Sequence, residues 1–345
     1  MRGIYSKTQA IGNSKYMTLY ADLHRHLGGA LHPRIIYKFL QKNDHEILNY
    51  FPDYDGFLMW FTRPCQTLEE FVKIHSLVEE LQSLEHLPYF CLRLCRGAYT
   101  FENLQYMEIR YNPYFRTDKS LTIQKRIGQM TDIVEVITAN LRPAEYPITV
   151  KQILCLDRRL PAHINEAILK VAKDNLGPVV GIDLAGPEIE PEKWEVWVKF
   201  LAKARASGLK TTAHLGETGI DNVHSQFLPV LDRIGHGIHI PLVKPEMLKE
   251  LAKRQITLEV CPTSYRQTGV LKDFHQLKTV FERCRKAGVS IAVCTDNPGR
   301  NPAPCTLPGE YERLIDHDVI DFSDLKSVQT EGFRSAFGYA GGSRP

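Results

Sequence analysis

Two hydrophobic rhythms alternate along this chain. Short runs of strand length fall at 19–26 (LYADLHRH), 104–111 (LQYMEIRY), 148–155 (ITVKQILC), 179–184 (VVGIDL), 209–214 (LKTTAH), 233–236 (RIGH), 256–261 (ITLEVC) and 289–294 (VSIAVC). Between the later runs lie helical stretches at about 120–140, 163–175, 191–207, 244–254 and 273–287. Strands alternating with helices imply a parallel sheet, and eight such units predict an α/β fold closed into a (β/α)8 TIM-type barrel. The competing doubly wound sheet would place a glycine-rich phosphate loop after the first strand, and none stands there.

The rhythm is interrupted once. Pro33–Gln41 predicts a helix with proline in its first turn, yet the second strand does not begin until residue 104. Residues 44–66 read as irregular and aromatic, and residues 67–97 have helical periodicity, with Phe71, Ile74, Val78 and Leu81 on one face. The pattern therefore predicts a polar N-terminal extension over 1–17 and one barrel domain over 18–345, with a helical insertion at about 44–98 that could cap a site.

Composition narrows the function classes. A chain of 345 residues with 43% hydrophobic content can build a large core. A net charge of +3 with interspersed signs argues against a nucleic-acid surface. No apolar run approaches membrane-spanning length and residues 1–17 hold no apolar signal core, so a cytoplasmic protein with no membrane partner is expected. The eight Cys form no C-x-x-C pair and read as buried thiols of a reducing compartment.

Candidate chemistry collects where the strands end, which is where barrel enzymes build their sites. Residues two apart on a strand share a face, so His24 and His26 of the first run point together while Arg25 points away. The fifth strand ends in His214-Leu215-Gly216-Glu217, the sixth in Gly235-His236-Gly237 with His239 beyond it, and the eighth in Thr295-Asp296-Asn297-Pro298. Taken singly, each is an ordinary strand-end residue. Together they predict His24, His26, His214, His236 and Asp296 at one barrel mouth, and three His with one Asp suit zinc with room for a water.

The ordered series HRHLGG, MEIRYNP, GIDLAG, HLGETG, RIGHGIH, VCPTS and CTDNP resembles the adenosine/AMP deaminase family of metal-dependent barrel enzymes, over about residues 19 to 340. The resemblance implies one zinc per chain ligated by His24, His26, His214 and Asp296. It implies Glu217 as proton donor to the substrate ring nitrogen, and His236, rather than His239, as the residue that handles the attacking water. Gly186 resembles the position whose N–H contacts the purine N3. The expected small-molecule substrate is a 6-aminopurine, as a nucleoside, free base or modified derivative with adenosine the default, deaminated by water with release of ammonia. That chemistry suits the residue types: zinc lowers the pKa of bound water to roughly 7, and a positioned acid contributes about 10²–10⁴-fold.

Two positions depart from the nucleoside-specific pattern. Gly28 stands where those members have an acidic residue at the ribose, which suggests space for a larger or different group. Asn297 stands where they have a second Asp, and its amide can donate to a purine N7 at any pH. Trp60 and Phe61 are candidates for an apolar gate over the substrate, while Arg266 and Arg300 are candidates for meeting a phosphate. Two other readings remain at this point. One is a metal-dependent hydrolase of another aminated heterocycle, a nucleotide, an ester or an amide. The other is a catalytically silent purine-binding protein.

Overall fold

The computed structural model describes residues 19–65, 68–188, 194–301 and 305–339. Eight parallel strands follow one another in chain order: β1 (Tyr20–His26), β2 (Leu104–Tyr111), β3 (Thr149–Asp157), β4 (Val179–Ala185), β5 (Lys210–Leu215), β6 (Arg233–His236), β7 (Thr257–Val260) and β8 (Ile291–Val293). The ring is drawn together beyond β8, at the site itself. The Asp296 N–H donates to the His24 carbonyl at 2.7 Å, and the His26 N–H donates to the Asp296 carbonyl at 2.9 Å. This is the TIM-type barrel that the alternation predicts.

Four helices intervene between β1 and β2: α1 (Pro33–Lys42), α2 (Tyr54–Thr62), α3 (Leu68–Leu81) and α4 (Leu87–Glu102). The helices α5 (Ile123–Asn140), α6 (Ala162–Asp174), α7 (Trp194–Ala206), α8 (His239–Val243), α9 (Leu248–Arg254), α10 (Pro262–Gln267) and α11 (His275–Ala287) follow among the later strands. After β8 come α12 (Leu307–Asp316) and α13 (Leu325–Arg334).

The insertion is more ordered than its punctuation suggests. Residues 44–66 contain α2 because Asp53 is a helix cap, its carboxylate accepting from the Gly56 N–H at 2.9 Å. The aromatic residues of this stretch pack on one another, with the Phe57 and Phe61 rings stacked at 5.3 Å. The single periodic stretch at 67–97 resolves into α3 and α4, and Pro88 opens the second. Ile74, Val78 and Leu81 are buried as expected, whereas the side chain of Phe71 and the extension 1–17 lie outside what is described.

Strands buried on both faces are ordinarily apolar throughout. Here the interior also holds Glu108, Arg110, Asp183, Arg233 and Glu259, each at most 1% exposed. Buried ions are tolerable only when paired, and these form a chain. Arg233 bonds Glu108 at 2.5 Å and Glu259 at 2.7 Å, and Arg110 bonds Glu259 at 2.8 Å and Asp183 at 3.1 Å. The chain runs from Glu108 to Asp183, and two of its carboxylates, Glu259 and Asp183, hold the histidines described below. All eight Cys are buried and unpaired. Among the described residues, no helix is long and apolar enough to cross a membrane.

Candidate active site

The site begins with the two-residue period of β1. The His24 and His26 rings lie 5.3 Å apart, while Arg25 turns away to Asp22 at 2.9 Å and Glu102 at 2.6 Å. The end of β5 brings His214 to the same place, its Nε2 3.2 Å from that of His26. One ligand atom from each of His24, His26 and His214 falls within 4.8 Å of the others. The loop after β8 adds Asp296, whose Oδ1 lies 3.3 Å from His26 Nε2 and 3.6 Å from His24 Nε2.

Neighbouring carboxylates fix how the rings face. His24 Nδ1 meets Glu259 Oε2 at 2.7 Å, and His214 Nδ1 meets Asp183 Oδ2 at 3.0 Å, which leaves Nε2 of each ring for the centre. His24 Nε2 is buried without a hydrogen-bond partner, a costly state that a cation would relieve. Burial holds the His24 and His26 imidazoles well below their ordinary value, so both are neutral, as ligands must be. Burial would raise the Asp183 carboxyl, but His214 and Arg110 outweigh it and keep it ionised. Asp296 is held in turn: Ser264 Oγ donates to Oδ2 at 2.5 Å and Asn297 Nδ2 to Oδ1 at 2.6 Å. Three imidazoles and one carboxylate with this support fit a metal ion.

Glu217 and His236 stand beside that cluster. Burial pushes the Glu217 carboxyl up to about 8, helped by the charges of Asp296 and Glu188, so it is protonated at neutral pH. His236 Nε2 lies 3.5 Å from Glu217 Oε2, and burial keeps its imidazole neutral. His236 Nδ1 is buried without a hydrogen-bond partner. His236 and Asp296 have φ values of 65° and 60°, left-handed conformations that cost roughly 1–3 kcal/mol at a non-glycine residue and gather at functional sites. His239 bonds the Gly216 carbonyl at 3.1 Å and does not line the cavity.

A cavity of about 870 Å³, its mouth included, opens onto these groups. Gly28, Gly186 and Asn297 line it, together with His75 and Glu79 of α3. Gly186 has φ 86°, and a Cβ there would sit 2.8 Å from Asp157 Oδ1, so both backbone and space require glycine. At Gly28 the volume left by the missing side chain is already taken: a Cβ would lie 3.0 Å from the His75 ring and 3.4 Å from Glu79 Cγ. Trp60 and Phe61 are not among the lining residues; they pack with Phe51 and Phe57. Arg300 is fully buried over the Phe61 ring at 4.8 Å, and exposed Arg266 bonds the Lys272 carbonyl. Neither arginine lines the cavity.

Several supporting residues escaped the sequence reading. Asp183 and Glu259 had a usable signal, since a charge inside an otherwise apolar parallel strand needs a buried partner. Glu188 accepts from the Glu217 N–H at 3.0 Å and from the Thr218 N–H at 2.8 Å, holding the turn that carries Glu217. Nothing local distinguishes it, or His75 and Glu79, from other surface-type residues.

Comparison with known proteins finds relatives over most of the chain. The family model described as adenosine deaminase matches residues 20–344. An adenosine deaminase of Clostridium kluyveri is 30% identical over 328 residues, spanning 92% of this chain and 88% of that protein. Among solved structures, the Arabidopsis N6-mAMP deaminase superposes with a TM-score of 0.75 at 20% identity, covering 93% of this chain and 94% of that one. An amidohydrolase from Burkholderia ambifaria with bound zinc superposes with a TM-score of 0.75 at 22% identity, covering 95% of this chain and 91% of that one. At such identities the structural likeness speaks to the fold alone.

Proposed function

We propose, since the chain belongs to the adenosine deaminase family and is thereby a metal-dependent aminohydrolase, that its substrate is a 6-aminopurine nucleoside, with adenosine or a modified adenosine first in line. One zinc ion per chain, held by His24, His26, His214 and Asp296, is part of the same reading. The observation that carries it is the meeting of three histidine ligand atoms, within 4.8 Å of one another, with a buried carboxyl whose pKa is pushed up to about 8.

When bound, the zinc would make water acidic enough to attack near neutral pH. The protein's own groups then have distinct tasks. Attack at the amine-bearing carbon sends an electron pair onto the adjacent ring nitrogen, and Glu217, still protonated, donates to that nitrogen. His236, held neutral, accepts a proton from the attacking water and passes it to the amine, which leaves as ammonia while the hydroxyl left on that carbon becomes a carbonyl and returns its proton to Glu217. Gly186, which lines the cavity, offers its backbone N–H to the purine, and the Asn297 amide hydrogen not engaged by Asp296 serves the ring edge. Trp60 and Phe61 have no part in this assignment.

The test is ammonia release by zinc-loaded protein from adenosine, deoxyadenosine, adenine, AMP and N6-alkylated adenosines, with Glu217→Gln as control. Release from a nucleoside, lost in the variant, is the expected result. No release from any of them by protein holding one metal per chain would overturn the reading.

A further inference from the structure

We propose that Glu79, a residue of the helical insertion, determines specificity: its carboxylate accepts hydroxyl groups of the substrate's glycosyl substituent and turns away a phosphorylated one. The inference rests on the aminopurine reading above and adds the chemistry of the group attached to the purine.

Three observations converge on Glu79. It lines the cavity and sits against the backbone of Gly28, two residues beyond the candidate ligand His26, so the insertion brings a carboxylate beside the reaction centre from outside the barrel. Its side chain is 13% exposed, and only one oxygen is engaged: Oε1 lies 3.3 Å from Arg116 Nη1 and 4.0 Å from His75 Nε2. Oε2 makes no hydrogen bond among the described residues. A largely buried carboxylate with an idle oxygen on a cavity wall is an acceptor for donors that a ligand brings.

The charges nearby argue against a phosphate. The other lining carboxylate on this side, Asp157, accepts from Arg159 Nε at 2.8 Å and Nη2 at 2.6 Å. Arg116, besides Glu79, donates to Gln82 Oε1 at 2.9 Å and to the Asn112 carbonyl at 2.9 Å. The three arginines that line the cavity, Arg110 with Asp183 and Glu259 included, are thus matched by carboxylates already present. A phosphate dianion would displace those contacts and face Glu79 and Asp157 as like charges. An uncharged sugar meets no such opposition, and its hydroxyls are donors for Oε2.

Calorimetric titration of the zinc-loaded protein with inosine, hypoxanthine and inosine monophosphate reads this without requiring turnover. Native protein is expected to bind inosine more tightly than either of the other two. Glu79→Gln should weaken inosine about 10- to 100-fold, the value of a hydrogen bond to a charged group, and leave hypoxanthine unchanged. Glu79→Asp keeps the charge opposite Arg116 but withdraws the oxygen. It should melt like native protein and still lose inosine affinity, which guards against a folding artefact. Equal weakening of inosine and hypoxanthine, no effect on either, or tighter native binding of the monophosphate would each overturn the proposal. If inosine binding follows Glu79 while no aminopurine releases ammonia, the deamination reading fails and the role of Glu79 stands.

Discussion

Replacing Glu217 with Gln preserves the shape of the side chain and removes its titration. In the fold its carboxyl is displaced from 4.5 to about 8, chiefly by burial. At about 1.4 kcal/mol per pH unit, ionising it in the metal-free protein costs on the order of 4–5 kcal/mol relative to the unfolded chain. Because the folded value is raised, the associated stability is full below about 4.5 and is lost as pH rises to about 8. Metal-free Glu217→Gln protein should therefore gain on native protein through that window and level off above it, in urea titrations at several pH values. Its constant offset at low pH reports only the swap of a carboxyl for an amide. With metal restored, kcat at pH 7 should fall about 10²–10⁴-fold, and the alkaline decline of native activity should vanish from the variant's residual rate. A stability difference that stays flat between pH 4 and 9 would refute the burial argument. A variant that keeps most of its kcat with the same alkaline decline would refute the acid role.

Three further outcomes follow from the supporting contacts. Asp183→Asn removes the ionised partner of His214 Nδ1, and should weaken zinc about 10–100-fold in competition with a chelator. Glu188→Gln loses the charge on its bonds to the Glu217 and Thr218 N–H groups. It should lower kcat about tenfold with little change in KM, measured by steady-state ammonia release. Gly29→Ala would place a Cβ 1.8 Å from Asn297 Oδ1, so Asn297 must move and loosen Asp296; circular dichroism should show the fold intact while bound zinc drops.

The parts of the molecule readable from sequence are those governed by short-range periodicity. Alternation across β1 put His24 and His26 on one face, and the recurrence of strand and helix gave eight units in the order found. Strand-end polar residues were legible because the C-terminal mouth is where a parallel barrel exposes side chains that it does not need for packing. Segment boundaries were less so. Residues 44–66 read as irregular, yet Asp53 within them caps a helix, because the same residue types serve turns and helix starts.

What the sequence by itself determined is the barrel, the family resemblance and the set of strand-end residues that can bind a metal or move a proton, all of which depend on order along the chain. Tertiary structure decided the rest. It brought Ser264 and Asn297 to Asp296, turned Glu259 and Asp183 beneath the histidines, and buried Glu217 enough to keep its proton. It also filled the volume beside Gly28 with His75 and Glu79, where the glycine alone had suggested an opening. Those outcomes depend on distances between residues far apart in the chain and on exclusion of water, and neither quantity is written in local hydrophobic pattern.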